Sequence, residues 1–273
     1  MAFYKICLTL SLLFVNQNLW AESLPPHGMS DFSYRFQNYP REVKIFRPEK
    51  WGEKPMPVLI LLHGGNGSVE KFSEKTGSVF VEAAVKKGYL LVLPEGTDTS
   101  GSDKNHWNDG RDSYLGNNHV AKVDDVAFLV DLRQRLQKSF SGVDASKIYL
   151  GGVSNGAMMT MRVACQAPQH FAGFAAMIGS LPKEIANQCT PRIQKPMIFI
   201  NGTEDRLVSY DGKDRRPRLL KKKLEGERMT VPQTLEIFAQ RNLCQGSTTE
   251  SLPDIKKDDG STVEKTEYQC PQN

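Results

Sequence analysis

Gly152-Val153-Ser154-Asn155-Gly156 follows directly on the strand-like run Lys147-Ile148-Tyr149-Leu150. This G-x-S-x-G spacing belongs to a sharp strand-to-helix turn. The glycines let backbone segments approach closely, and the serine hydroxyl is shown to a cleft. A serine held this way can attack a carbonyl carbon if three further groups converge on it: a base for its proton, a carboxylate to orient the base, and N–H donors for the oxyanion. The chemistry is acyl transfer, and Ser154 is the candidate nucleophile. The structural alternative is an ordinary turn serine; the strand-like run before and the helical pattern after it favour the nucleophile.

Oxyanion donors must come from two loops. One is the residue after the nucleophile, Asn155. The other is expected from the glycine-rich turn His63-Gly64-Gly65-Asn66-Gly67, which follows the apolar run Pro57 to Leu62 and makes Gly65 the candidate donor. His63 reads as a positioning residue beside that hole, not as the base. The orienting carboxylate is expected after the run Met197 to Asn201, in Asn201-Gly202-Thr203-Glu204-Asp205, because open α/β sheets gather their sites at the carboxyl ends of the strands. Asp205 is the candidate, with Glu204 and Asp211 as alternates and a turn-capping aspartate as the structural alternative. Asn66 and Asn201 also match the glycosylation pattern, which we read as chance in loops the chemistry uses. Of the histidines His27, His63, His106, His119 and His170, none follows Ser154 where a base for this arrangement is expected.

The elements that must carry these loops alternate. Glu42 to Phe46 is an expected early strand. Pro57 to Leu62 and Tyr89 to Leu93 are continuous apolar runs, as in strands buried on both faces. A helix is expected near Ser78 to Lys87. A second opens at Asp124-Asp125, where acid suits the positive end of the helix dipole, and Leu129, Leu132 and Leu136 mark its apolar face. The helix after the Ser154 turn carries Met158, Met159 and Met161. Phe174 to Ile178 and Met197 to Asn201 continue the strand series, and Gln233 to Arg241 reads as helical. Alternation of this kind predicts an α/β fold: a mostly parallel sheet with helices on both faces. A basic insertion at 206–232, with Arg215-Arg216 and Lys221-Lys222-Lys223, interrupts the rhythm. It reads as a solvated loop, with an electropositive lid as the alternative.

Residues 1–21 read as a signal peptide: Lys5, an apolar run from Ile6 to Val15, and Ala21 at the cut. Cleavage would leave residues 22–273 as a single α/β domain, secreted to the cell exterior or periplasm. Net charge is +4, too small to argue for nucleic acid, and no later segment is apolar enough for a membrane span. Four cysteines remain after Cys7: Cys165, Cys189, Cys244 and Cys270. Their even number in an exported chain suggests two disulfides. Of three pairings, Cys165 with Cys189 and Cys244 with Cys270 closes the most local loops. No cysteine–histidine spacing resembles a zinc site, and the chemistry calls for no metal or cofactor.

Together these motifs resemble the polyhydroxybutyrate depolymerase and feruloyl esterase group of secreted α/β-hydrolases. The resemblance runs from about Met56 to Cys270. It is carried by Leu61-Leu62-His63-Gly64-Gly65, Trp107-Asn108-Asp109-Gly110-Arg111, Val123 to Leu129, Gly152 to Gly156, Asn201 to Asp205, Asn242-Leu243-Cys244 and Cys270. It implies Ser154 as nucleophile, Asp205 as the orienting acid, Gly65 and Asn155 as the oxyanion hole, and Trp107 lining the substrate cleft, with a core tryptophan as the alternative reading. Ala157 and Asn201 stand where that group commonly has glycine and histidine. The group keeps its base in a Gly-Gly-His-x-Trp-Pro segment beyond the last cysteine, which is absent before Asn273. The resemblance therefore implies a C-terminally truncated α/β-hydrolase fold, lacking the last strand and histidine loop, with an unpaired sheet edge. The expected substrates are small esters or polyesters. The competing readings are a catalytically dead remnant or secreted binding protein, and a serine peptidase on the same fold.

Overall fold

The computed structural model describes residues 28–48, 50, 54–74, 78–98, 104–111, 123–189, 194–213 and 228–271. In chain order its elements are β1 Gly28–Phe36, β2 Tyr39–Arg47, β3 Met56–Leu62, α1 Val69–Glu74, α2 Ser78–Lys86, β4 Leu90–Pro94, α3 Asp125–Ser139, β5 Val143–Val153, α4 Asn155–Gln166, β6 Gly173–Met177, α5 Lys183–Ala186, β7 Met197–Ile200, α6 Val231–Arg241, β8 Gly246–Ser251 and β9 Glu264–Gln269. The first seven strands form one sheet in the order β1-β2-β4-β3-β5-β6-β7, and β8-β9 form a separate antiparallel hairpin. From β4 through β7 neighbouring strands run parallel, while β1-β2 and β2-β4 are antiparallel. The carboxyl ends of β3, β5, β6 and β7 therefore lie at one rim.

The apolar runs build the centre of this sheet. Val58, Ile60 and Leu62 of β3 share one core with α3 and α4, through Phe128, Leu129, Leu132, Met158, Met159 and Met161. Leu61, Leu91 and Leu93 face the other way, against Val69 and Phe72 of α1 and Ala84 of α2. Helices thus cover both faces, and the strands between them are apolar on both sides. Asp124 caps α3 by accepting from the Ala127 N–H, and Thr230 and Gln233 form a reciprocal capping box on α6.

β1 was not among the expected strands. Its Phe32, Tyr34 and Phe36 alternate with polar residues and pack on the α3 core. At the opposite edge, among the described residues, β7 pairs with β6 alone. Phe199 packs on Phe238 of α6, but Ile198 and Ile200 on the other face are 62% and 57% exposed. The hairpin β8-β9 is exposed along its length and is tied at its base by the Cys244–Cys270 disulfide. The second disulfide joins Cys165 at the end of α4 to Cys189 after α5, so both pairings are the local ones. The signal segment and residues 214–227 of the basic insertion lie outside the described residues. Among the described residues no helix is long and apolar enough to cross a membrane.

Candidate active site

β5 is in the middle of the sheet and ends directly in α4, so the chain must reverse within one residue. That residue is Ser154, at φ 55° and ψ −116°. A non-glycine residue in this region is strained by about 1–3 kcal/mol and persists only where its surroundings fix it. Here the Ser154 N–H donates to Met177 O of β6 at 2.9 Å, and its carbonyl accepts from the Met158 N–H at 3.0 Å. The side chain is half-buried, and its hydroxyl makes no hydrogen bond among the described residues. The hydroxyl is therefore open to an incoming group.

The turn after β3 lies against this elbow with almost no space between backbones. A Cβ on Gly156 would lie 2.5 Å from His63 O and 2.6 Å from Leu62 O. A Cβ on Gly64 would lie 3.5 Å from the Ser154 Cβ, and one on Gly65 would lie 3.4 Å from the Asn155 Cβ. The two candidate oxyanion donors thus belong to adjoining residues. Among the described residues, neither the Gly65 nor the Asn155 N–H donates to an acceptor.

The Asn155 side chain is buried and anchors the start of α4. Its Oδ1 accepts from the Trp107 N–H at 2.8 Å, and its Nδ2 donates to Trp107 O and to Asp109 Oδ2. Asp109 also accepts from the guanidinium of Arg111 through both carboxylate oxygens. These charges are buried together, which is the condition under which buried charge is tolerated. A second buried pair, Arg41–Asp125, lies on the same side of the sheet, and Asp125 Oδ2 also accepts from the Asn108 N–H. Burial pushes the Asp125 carboxyl above the usual carboxylate range, and the Arg41 guanidinium and the Asn108 N–H offset only part of this.

Trp107 corrects one expectation. It is fully buried, stacks beside Phe128, and donates from Nε1 to His63 O at 3.0 Å. It is a core residue that pins the oxyanion turn, and it does not line an open cleft. His63 is likewise 1% exposed and cannot touch a substrate in the cleft. Its Nδ1 bonds to Gly64 O at 2.7 Å, while Nε2 accepts from the Gly96 N–H at 3.0 Å and stands 2.9 Å from Glu95 Oε1. His106 lies over the same turn, half-buried, with Nε2 3.1 Å from Asn66 Oδ1. Burial, and then the charge of His63, hold its imidazole below the usual histidine range.

Asp205 is half-buried in the loop after β7. Its Oδ1 accepts from the Leu207 and Val208 N–H groups at 2.6 and 2.8 Å, so it does cap a turn; Oδ2 has no partner among the described residues. The Asn201 side chain links this loop to the site, since its Oδ1 accepts from Gly179 N–H, and a Cβ on Gly179 would lie 3.5 Å from Ser154 O. Glu204 is exposed, and Asp211 is held by its own loop through Ser209, Lys213 and the Lys213 N–H. Asn66 and Asn201 thus both use their amides within the fold. An open recess of about 500 Å³ between α3 and α4, lined by Asn108, Val126, Val130 and Arg162, includes neither Ser154 nor Gly65. Its polar atoms already pair with each other, Arg162 Nη1 donating to Asn108 O and Oδ1.

Glu95 and the Asp109–Arg111 pair were not among the residues expected at the site. Each reaches it from a distant part of the sequence, 33 residues in the case of the Gly96 N–H and His63. The Trp107 to Arg111 run was the one available signal for the second.

Comparison with known proteins bears on the fold and on the class of relatives. Residues 121–238 match the Phospholipase/Carboxylesterase family. The chain is similar to feruloyl esterase B of Piromyces equi, 27% identical over 74% of this chain and 35% of the esterase. It is also similar to acetylxylan esterase A of Aspergillus oryzae, 25% identical over 57% of this chain and 48% of that protein. The chain thus spans between about a third and a half of these two curated relatives. Among solved structures, native sOPH superposes with a TM-score of 0.55 at 18% identity, covering 80% of this chain and 77% of that one. A thermostable esterase superposes with a TM-score of 0.52 at 13% identity, covering 78% and 51%. At such identities these two show the fold, which is that of the α/β-hydrolases.

Proposed function

From a chain of α/β-hydrolase fold whose sequence relatives are esterases, we propose a serine hydrolase of carboxylic esters, working through an acyl-enzyme. Ser154 Oγ attacks the ester carbonyl. The Gly65 and Asn155 N–H groups take the charge that builds on the carbonyl oxygen, and Asp205 would orient a histidine base for the serine proton, a role that none of the five histidines of this sequence fills. The alcohol leaves with a proton, and water then releases the acid. The observation that carries this reading is the strained, half-open Ser154 set against the Gly64-Gly65 turn. The substrate class follows the relatives: feruloyl or acetyl esters on plant polysaccharide, with short 3-hydroxyacid polyesters as a further candidate. Two local disulfides fit an exported protein.

A second reading has one observation in its favour. Among the described residues nothing accepts a proton from Ser154 Oγ. Losing the histidine of a serine protease costs about a million-fold in turnover. The chain would then bind esters or saccharides without turning them over. The test is hydrolysis of p-nitrophenyl acetate together with intact-mass analysis after a fluorophosphonate, for the parent and Ser154→Ala. An adduct on the parent that is absent from Ser154→Ala supports the serine mechanism. Neither hydrolysis nor adduct over a day of incubation supports the binding protein.

A further inference from the structure

Neither oxyanion donor lies in the loop that carries Trp107, Asp109 and Arg111, yet that loop is bonded towards both. Towards the turn after β3, Trp107 Nε1 donates to His63 O at 3.0 Å, and a Cβ on Gly65 would lie 3.1 Å from His106 Nδ1. Towards α4, the loop takes every polar atom of the buried Asn155 side chain. Oδ1 accepts from the Trp107 N–H at 2.8 Å, and Nδ2 donates to Trp107 O at 3.1 Å and to Asp109 Oδ2 at 2.6 Å. Asp109 also closes the loop on itself, its own N–H donating to Trp107 O at 3.0 Å. A carboxylate can only accept, so the NH2 end of the amide must face Asp109, and Oδ1 then faces the Trp107 N–H. Asn155 is the first residue of α4, a position whose N–H has no acceptor inside the helix. Its side chain is pinned at three points to a loop that is also bonded to His63 O. Both donors are thereby referred to one frame.

The shortest of the three bonds goes to a charge, and that charge lies on the wrong side for the chemistry. Asp109 is 2% exposed and stands one side chain away from the N–H where negative charge would build. An unpaired carboxylate there would repel the oxyanion in a medium that screens poorly. Arg111 removes the conflict. Its Nε donates to both carboxylate oxygens at 3.0 Å, its Nη2 to Oδ2 at 2.5 Å, and its N–H to Oδ1 at 3.2 Å. Asp109 keeps a charge-assisted bond to Asn155 while the guanidinium offsets its field.

We propose that Asp109 and Arg111 are a positioning pair of the oxyanion hole: Asp109 fixes the Asn155 amide, and with it the direction of the Asn155 N–H, while Arg111 keeps the carboxylate charge from opposing the oxyanion. Neither residue touches substrate. This rests on the reading of Ser154, Gly65 and Asn155 given above.

Variants of the full chain separate the bond, the charge and simple packing. Asp109→Asn with Arg111→Met is neutral and keeps an acceptor for Asn155 Nδ2. Asp109→Leu with Arg111→Met is neutral and has none. Arg111→Met alone leaves the carboxylate uncompensated. Three quantities are read: Tm, the rate of Ser154 adduct formation with a p-nitrophenyl phosphonate by intact mass, and the ³¹P shift of the adduct, which reports hydrogen bonding to the phosphoryl oxygen. Removing a direct oxyanion donor costs about 10²–10³ in rate, so misaiming one is expected to cost about tenfold. The Asn–Met double is expected to label at close to the parent rate. The Leu–Met double is expected to label about tenfold slower, with a displaced ³¹P shift, at a Tm no lower than that of the Asn–Met double, because apolar replacement of a buried ion pair is often neutral or stabilising. Should it not fold, Asn155→Ala cuts the same tether from the other end and is expected to show the same slowing and the same ³¹P displacement. Arg111→Met alone is expected to label more slowly than the Asn–Met double. Should that variant not fold, Asp109→Asn alone, which leaves the positive charge unpaired, is expected to label at least as fast as the Asn–Met double. Equal labelling and equal ³¹P shifts in the two doubles, or slowing that merely follows Tm, overturns the role of Asp109. Arg111→Met labelling as fast as the Asn–Met double overturns that of Arg111. A parent that forms no adduct, or Ser154→Ala that still forms one, refutes the nucleophile reading itself and this role with it.

Discussion

Gly156→Ala adds one methyl group at the crossing of the two loops that make the site. That methyl would lie 2.5 Å from His63 O, 2.6 Å from Leu62 O and 2.8 Å from the Leu62 Cβ. Carbon–oxygen contacts ordinarily begin near about 3.3 Å, so roughly 0.8 Å must be found. Two of the three obstacles are backbone atoms. Leu62 is bonded through β3 into the centre of the sheet, where β5 pairs with it from the other side. Neither strand can yield, so α4 has to lift, and Ser154 and Asn155 lift with it. Overpacking costs about 1–3 kcal/mol, and backbone against backbone is the upper end of that range. For a domain of this size about 3 kcal/mol is a fall of roughly 6–12 °C in Tm. A displacement approaching 1 Å between reacting groups is worth about 10²-fold in rate. Gly202→Ala is the control: nothing lies within 4 Å of its Cβ, and the expected change in stability is within about 0.5 kcal/mol. Thermal unfolding by circular dichroism and phosphonate labelling of Ser154 check both variants. A Gly156→Ala protein that melts within about 1 °C of the parent and labels equally fast would refute the close approach on which the site is built.

Three further outcomes follow from the same contacts. Ser154→Gly relieves a backbone angle that glycine adopts freely; after the entropy glycine loses on folding, stability is expected to rise by about 1 kcal/mol in denaturant titration while phosphonate labelling disappears. Asp125→Asn leaves the buried Arg41 guanidinium without its counter-charge and is expected to cost about 3–5 kcal/mol, whereas the double variant Arg41→Met with Asp125→Leu costs less than Asp125→Asn alone. His106 titrates lower in the folded chain than its ordinary 6.5 because burial, and then His63, disfavour its charge. Its contribution to stability is therefore full above pH 6.5 and is lost as the pH falls below that towards the folded value; His106→Gln should flatten this limb of a Tm–pH curve.

The parts of the fold legible in the sequence were those in which a single local signal sufficed. β3 and β4 are buried on both faces, so their apolar runs could be read without knowing their neighbours. The Ser154 turn was legible because glycine spacing reports backbone crowding directly. β1 was not foreseen, although Phe32, Tyr34 and Phe36 alternate with Asp31, Ser33 and Arg35 as a half-buried strand should. Trp107 was placed in the cleft from the company it keeps in sequence, whereas its Nε1 bond to His63 O shows that it serves the turn from beneath. Glu95 and Asp109 were not foreseen because a buried carboxylate has no local signature: its partners, His63 and Asn155, come from other strands' ends. Asp205 carried two readings, cap and catalytic acid, and its two oxygens leave room for both.

Among the described residues β7 is paired on one side only, and the loop bearing Asp205 springs from its end. The same strand holds Ile198 and Ile200 in water. The apolar margin and the acid's loop therefore share one strand, and whatever covers the first lies beside the root of the second.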